Sequence, residues 1–226
     1  MPIVQVKFPE YYRWLNEMPA LRDVVTEGPP RLLLVGINPG LRSWALGHHF
    51  AGNGNPFWRL LFSSGLVPEP IPFTEARRLA AYGIGLTNLC PRTTRTAAEL
   101  TTDEIDRGRR VLARKCARWK PAVVAFVGVS LYQTFFRLGK SGGPGEKPER
   151  LAGARVFVVP NPSGLNASFP GFEDKLVWFK ALRAFVDRAA PPVARPADRA
   201  SAARRARRPS PPRAAGARSS TASDRS

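Results

Sequence analysis

RLLLVGINPG, residues 31–40, governs how the rest of the chain is read. Four aliphatic residues run unbroken into Gly36, and Pro39 closes the segment. A short apolar run bounded by proline and glycine predicts a buried strand. Strands of this kind belong to parallel sheets with helices on both faces. Asn38 then stands at a strand end, where Pro39 presses its backbone toward extended geometry. Two readings of that asparagine stay open: an ordinary turn residue, or a polar side chain aimed at a ligand. A phosphate-cradling loop is disfavoured, because neither G-x-G-x-x-G nor a terminal G-K-[ST] is present. Pro39 also lacks a backbone donor where a phosphate nest requires one.

The pattern recurs along the chain. IGLTNL (84–89), PAVVAFVG (121–128) and ARVFVVP (154–160) read as further strands. Helices are expected between them. One spans 55–66, with Asn55 capping, Pro56 in the first turn and Gly65 ending it. Another spans 73–83, from Thr74 as cap to Gly83. A long amphipathic helix covers 101–120 and stops at Pro121, and two more cover 129–138 and 169–190. Residues 8–25 read as one or two short helices, and 41–56 and 141–150 as loops.

Alternating strands and helices predict an α/β fold, a three-layer α/β/α sandwich around a mainly parallel sheet. Ligands of such sheets bind beyond the carboxyl ends of the strands. Polar loops follow three of them, at Asn38, at Asn88 and at NPSGLNA (161–167), so all three converge on one edge.

Composition bounds the partner. The 226 residues carry a formal net charge of +18, which points to a polyanion, nucleic acid before an anionic membrane surface. From Ala189 onward there are nine arginines against two aspartates and almost no aliphatic bulk. Such a segment buries too little apolar surface to offset its ordering entropy, so 189–226 is expected to be a disordered basic tail. Without its +7 the remainder still carries +11. The expected organisation is an N-terminal helical extension (1–30), one domain (31–188) and the tail. Cys90 and Cys116 supply neither a disulfide framework nor a metal set, and the adjacent His48 and His49 do not complete a zinc site. No apolar run approaches the roughly 18 residues of a membrane span. The expectation is a soluble protein of a reducing compartment, without metal or cofactor.

Three other stretches carry candidate chemistry. GHHFAGNGNPFW (47–58) sets Phe50 among glycines that permit close backbone approach; Phe50 is either a core plug or a surface offered to a ligand. TNLCPRTTRT (87–96) ends a strand with an amide, hydroxyls and arginines, either a solvated loop or a set of base and phosphate contacts. PNPSGLNA (160–167) places Leu165 on a tight turn. There it either tucks into the core or serves as a wedge between bases.

Together GINPGLRSW, GHHFAGNGNPFWRLLFSSGL, YGIGLTNLCPRTT and NPSGLNASFPGFEDK resemble the mismatch-specific uracil/thymine-DNA glycosylases, the second family of the uracil-DNA glycosylase superfamily. The resemblance runs from about Arg31 to Val186, with the motifs in the family's order. It implies a monofunctional enzyme that flips a base out of double-stranded DNA and hydrolyses its glycosidic bond, leaving an abasic site. The substrate implied is uracil, with thymine slower, in G·U or G·T mismatches.

By the resemblance, Asn38 matches the catalytic asparagine that positions the attacking water. Phe50 matches the aromatic that stacks on the flipped base, and Ile37 lines the same pocket. Asn88 matches a polar pocket residue, Thr94 a hydroxyl near the water, and Ser43 the position that tunes acceptance of the thymine methyl. Leu165 matches the wedge, flanked by Gly164 and Asn166, with Asn161 and Ser163 as DNA-backbone contacts. Ala167 departs from the arginine of bacterial relatives, so a side-chain contact to the orphaned guanine is lost there. His48 and His49 are either a hydrogen-bonded loop pair or a source of one assisting group. The resemblance further implies a monomer, cytoplasmic and associated with the bacterial nucleoid through DNA.

Overall fold

The computed structural model describes residues 20–52, 54–139, 142–163 and 167–190. Its centre is a five-stranded sheet in the order β2-β1-β3-β5-β4. The strands are β1 (Leu32–Gly36), β2 (Ile84–Asn88), β3 (Val123–Val127), β4 (Gly145–Leu151) and β5 (Ala154–Val159). β1 pairs parallel with both β2 and β3, β3 parallel with β5, and only β4 is antiparallel, on β5.

Side chains alternate across a strand, which divides the core in two. Leu32 and Leu34 of β1 join Ala125 and Phe157 on one face, while Leu33 and Val35 join Phe126 and Val158 on the other. Helices α2 (Phe57–Ser63) and α5 (Phe172–Ala189) cover the first face through Leu60, Leu61, Phe179 and Phe185. Helices α3 (Thr102–Trp119) and α4 (Val129–Phe136) cover the second through Leu112, Cys116, Leu131 and Phe135. Each buried leucine, valine or phenylalanine among them contributes roughly 1.5–3 kcal/mol. The layering is the α/β/α sandwich that strand–helix alternation predicts.

Local signals explain the boundaries. Asn55 accepts the Phe57 N–H at 3.1 Å at the start of α2, and Gly65 turns the chain away at φ +75°. Thr101 and Glu104 close a capping box at the start of α3.

Three segments differ from their sequence reading. Residues 141–150, read as a surface loop, contain β4. An edge strand with alternating half-buried and exposed residues needs no apolar run, and it tolerates Pro148 at its register shift between Lys147 and Arg150. The stretch 41–56, read as a loop, opens with a five-residue helix, α1 (Leu41–Ala45), which buries no residue and so carries no apolar periodicity. Residues 73–82 are 3₁₀ turns broken at Glu75 and preceded by Pro72 rather than capped by Thr74.

Residues 20–30 of the expected helical extension run without helix. Val24 pairs with Leu86 of β2 through two backbone hydrogen bonds of 2.8 and 3.0 Å. Residues 1–19 and the basic tail from 191 lie outside the described residues.

Candidate active site

Four parallel strands end on one edge, where a cavity of about 760 Å³ opens. The loops after β1 and β2 stay paired beyond their strands. The Leu89 and Cys90 N–H groups donate to the carbonyls of Gly36 and Ile37, each at 2.8 Å. Gly40 forms a parallel bridge with Thr94, and the Thr94 N–H reaches the Pro39 carbonyl at 3.3 Å. Ile37, Asn38, Ser43, Phe50, Asn88, Thr94, Asn161 and Ser163 all line this cavity. Gly164, Leu165 and Asn166 lie outside the described residues.

Asn38 is half-buried, and its Nδ2 donates to the Arg92 carbonyl at 2.8 Å and to Thr94 Oγ1 at 2.7 Å. A carbonyl can only accept, so the amide orientation follows from chemistry: NH₂ faces the loop, and Oδ1 occupies the other limb. Behind the Arg92 carbonyl its guanidinium is fixed in turn. Nε and Nη2 meet the Glu104 carboxylate at 2.5 and 2.9 Å, and Nη2 also reaches the Glu99 carbonyl at 2.7 Å. This pairing holds the Glu104 carboxyl down at about 2.

Phe50 occupies the left-handed region at φ +48°, a strained conformation for a residue with a side chain. Its ring stacks on Phe57, with centroids 3.9 Å apart and planes 18° apart. The loop that carries it is tied at two points. The Ala51 N–H donates to Ser43 Oγ at 3.2 Å, and Trp58 Nε1–H donates to the His49 carbonyl at 3.2 Å. A Cβ at Gly36 would lie 2.5 Å from Asn88 Oδ1 and 3.3 Å from Phe50 Cζ, so the missing side chain makes the room in which they meet.

Of the two histidines, His49 is buried, with Nε2 3.0 Å from the Arg22 carbonyl and Nδ1 3.5 Å from Asn88 Nδ2. Burial lowers its pKa below 6.5, favouring the neutral ring. His48 is half-buried beside Phe73. The two histidines therefore do not act as a pair. Burial pushes the thiols of Cys90 and Cys116 up to about 11 and about 12, so neither is a nucleophile near neutral pH. The cavity thus offers an oriented amide, a stacking ring and hydroxyls.

Residues 24–183 match the uracil DNA glycosylase superfamily. The chain belongs to this superfamily. It is also 33% identical over 165 residues to the G/U mismatch-specific uracil DNA glycosylase of Schizosaccharomyces pombe (strain 972), an alignment covering 69% of this chain. The chain spans half the length of that relative, since the alignment covers 50% of it. The superfamily match begins at Val24, the residue that pairs with β2.

Sequence reading of the superfamily site missed the groups that support the first ones. Arg92 lies within TNLCPRTTRT, but nothing in its spacing shows that its carbonyl would hold Asn38. Leu21 lines the cavity and Arg22 meets His49, though both precede the motifs. The legible signal was the Thr101–Glu104 capping box, which marks where Glu104 would stand relative to its helix.

Proposed function

We propose that this protein is a monofunctional DNA glycosylase that excises uracil from G·U mismatches in double-stranded DNA, with thymine opposite guanine a slower substrate. The observation that carries this is the lock on Asn38. With NH₂ held by Arg92 and Thr94, Oδ1 has no partner among the described residues and accepts a hydrogen from a water placed against the sugar.

A neutral amide orients water without deprotonating it strongly. The chemistry therefore depends on bond breaking. The C1′–N1 bond opens with its electron pair leaving on the base, the water oxygen bonds to C1′, and the water's proton is released. Hydrogen-bond donors fixed around the departing anion stabilise it. Phe50, backed by Phe57, supplies a face for the flipped pyrimidine, and such stacking contributes about 1–3 kcal/mol per base.

One polar group shapes preference. Ser43 lines the pocket while its oxygen holds the Ala51 N–H, which keeps a hydroxyl where the thymine methyl would approach. Leu165, with Gly164 and Asn166, acts as the wedge that fills the vacated stack, and Asn161 and Ser163 contact the DNA backbone. The protein acts as a monomer in the cytoplasm, on nucleoid DNA.

The test is incubation with duplexes containing G·U, G·T and A·U, followed by alkaline cleavage at abasic sites. Cleavage in the order G·U, then G·T, is expected. Binding to the mismatches without cleavage of any duplex would replace the enzyme reading with a damage-binding one.

A further inference from the structure

The segment before β1 reaches into the base pocket through one buried ring. Two backbone bonds between Val24 and Leu86 seat this segment on β2. Asp23 adds a polar anchor. Thr87 Oγ1 donates to Asp23 at 2.6 Å, and Lys115 Nζ lies 2.7 Å from Asp23 and 2.9 Å from Thr87 Oγ1. The Arg22 carbonyl is thereby held against His49 Nε2 at 3.0 Å.

A carbonyl only accepts, so His49 Nε2 carries the hydrogen, and the neutral ring leaves a lone pair on Nδ1. That lone pair faces Asn88 Nδ2 at 3.5 Å, a long contact whose sign still matters. With its NH₂ turned to His49, Asn88 holds Oδ1 over Gly36, beside Phe50. An amide oxygen accepts from the N3–H of uracil or thymine. It repels the N3 lone pair of cytosine.

Building on the uracil-excising reading, we propose that His49 is a positioning residue: it orients the Asn88 amide so that the pocket selects pyrimidines carrying a hydrogen on N3. Protonation of His49 would reverse the arrangement. A hydrogen on Nδ1 would face the Asn88 NH₂, and the amide would have to rotate, turning a donor toward the base. The charged and titratable groups acting on the ring are Asp23, which favours protonation, and Lys115 and His48, which oppose it. Burial outweighs them and keeps the ring neutral at neutral pH.

The test compares excision of 5-fluorouracil and 5-fluorocytosine opposite guanine under single turnover. Fluorine makes both bases better leaving groups, and they differ at C4 and N3. The wild-type protein is expected to prefer fluorouracil at about pH 7 and to lose part of that preference toward about pH 5, since burial sets the His49 pKa below 6.5. His49→Ala is expected to lower the fluorouracil-to-fluorocytosine ratio about tenfold. Asn88→Ala should lower it similarly, with no further fall when both are changed.

A wild-type ratio in His49→Ala would overturn the proposal. His49→Asn offers a non-titrating oxygen near the Nδ1 position and should hold, at both pH values, the ratio that the wild type shows at the higher one. This variant carries the test if His49→Ala does not fold: a ratio falling with pH as steeply in His49→Asn as in the wild type would overturn the proposal. Failure of the wild-type protein to excise uracil or fluorouracil at all would instead refute the glycosylase reading.

Discussion

Replacing Glu104 by glutamine keeps the side chain's shape and removes its charge, at a residue that does not itself line the strand-end cavity. Glu104 meets Arg92 Nε and Nη2 at 2.5 and 2.9 Å, and accepts the Thr101 N–H at 2.8 Å. Its side chain is 22% exposed and that of Arg92 30% exposed, so the pair is partly shielded from water. A charge-assisted, two-point pair of this kind contributes about 1.5–3 kcal/mol. Glutamine presents an NH₂ to a guanidinium that only donates, so one of the two points is lost and the Arg92 loop loosens. That loop carries the carbonyl that holds Asn38. If about 1.4 kcal/mol of the loss reaches the transition state, excision slows about tenfold. The assay is single-turnover excision from a G·U duplex beside DNA affinity and Tm. A tenfold lower rate, unchanged Kd and a Tm lowered by a few degrees are expected. A lowered Tm with an unchanged rate would refute the coupling and leave the pair a purely structural one.

Gly36→Ala places a Cβ 2.5 Å from Asn88 Oδ1 and 3.3 Å from Phe50 Cζ. Excision should fall at least about tenfold while duplex affinity holds; a variant with wild-type excision would show that the two side chains do not share a substrate space above Gly36. Stability should depend on acid through Glu104. Its folded pKa, about 2 against an ordinary 4.5, is depressed chiefly by Arg92, so its contribution is complete above 4.5 and lost as pH falls toward 2. Urea midpoints measured downward from about pH 5 should decline less steeply in Glu104→Gln than in the wild type; parallel declines would contradict this.

The buried strands were legible because burial on both faces leaves continuous apolar runs, as in Leu32–Val35 and Val123–Val127. β4 was not, because an exposed edge can be built from Gly145, Pro148 and charged residues. The same distinction runs through the site. Asn38, Phe50 and Asn88 stood out by residue type and by their place at strand ends or among glycines. Their supports did not, since Arg22 and Arg92 act there through backbone carbonyls that every residue possesses. His48 and His49 look equivalent in sequence. They separate only when folding buries one ring between the Arg22 carbonyl and Asn88 and leaves the other beside Phe73.

Asn38→Ala on a G·U duplex tests the central claim most directly, with excision and duplex binding measured on the same preparation. The account predicts that excision is abolished while binding stays close to wild type, because the amide orients water and the rest of the pocket still receives the base. Retained excision would contradict it, and lost binding would make Asn38 a structural residue of the Arg92–Thr94 loop.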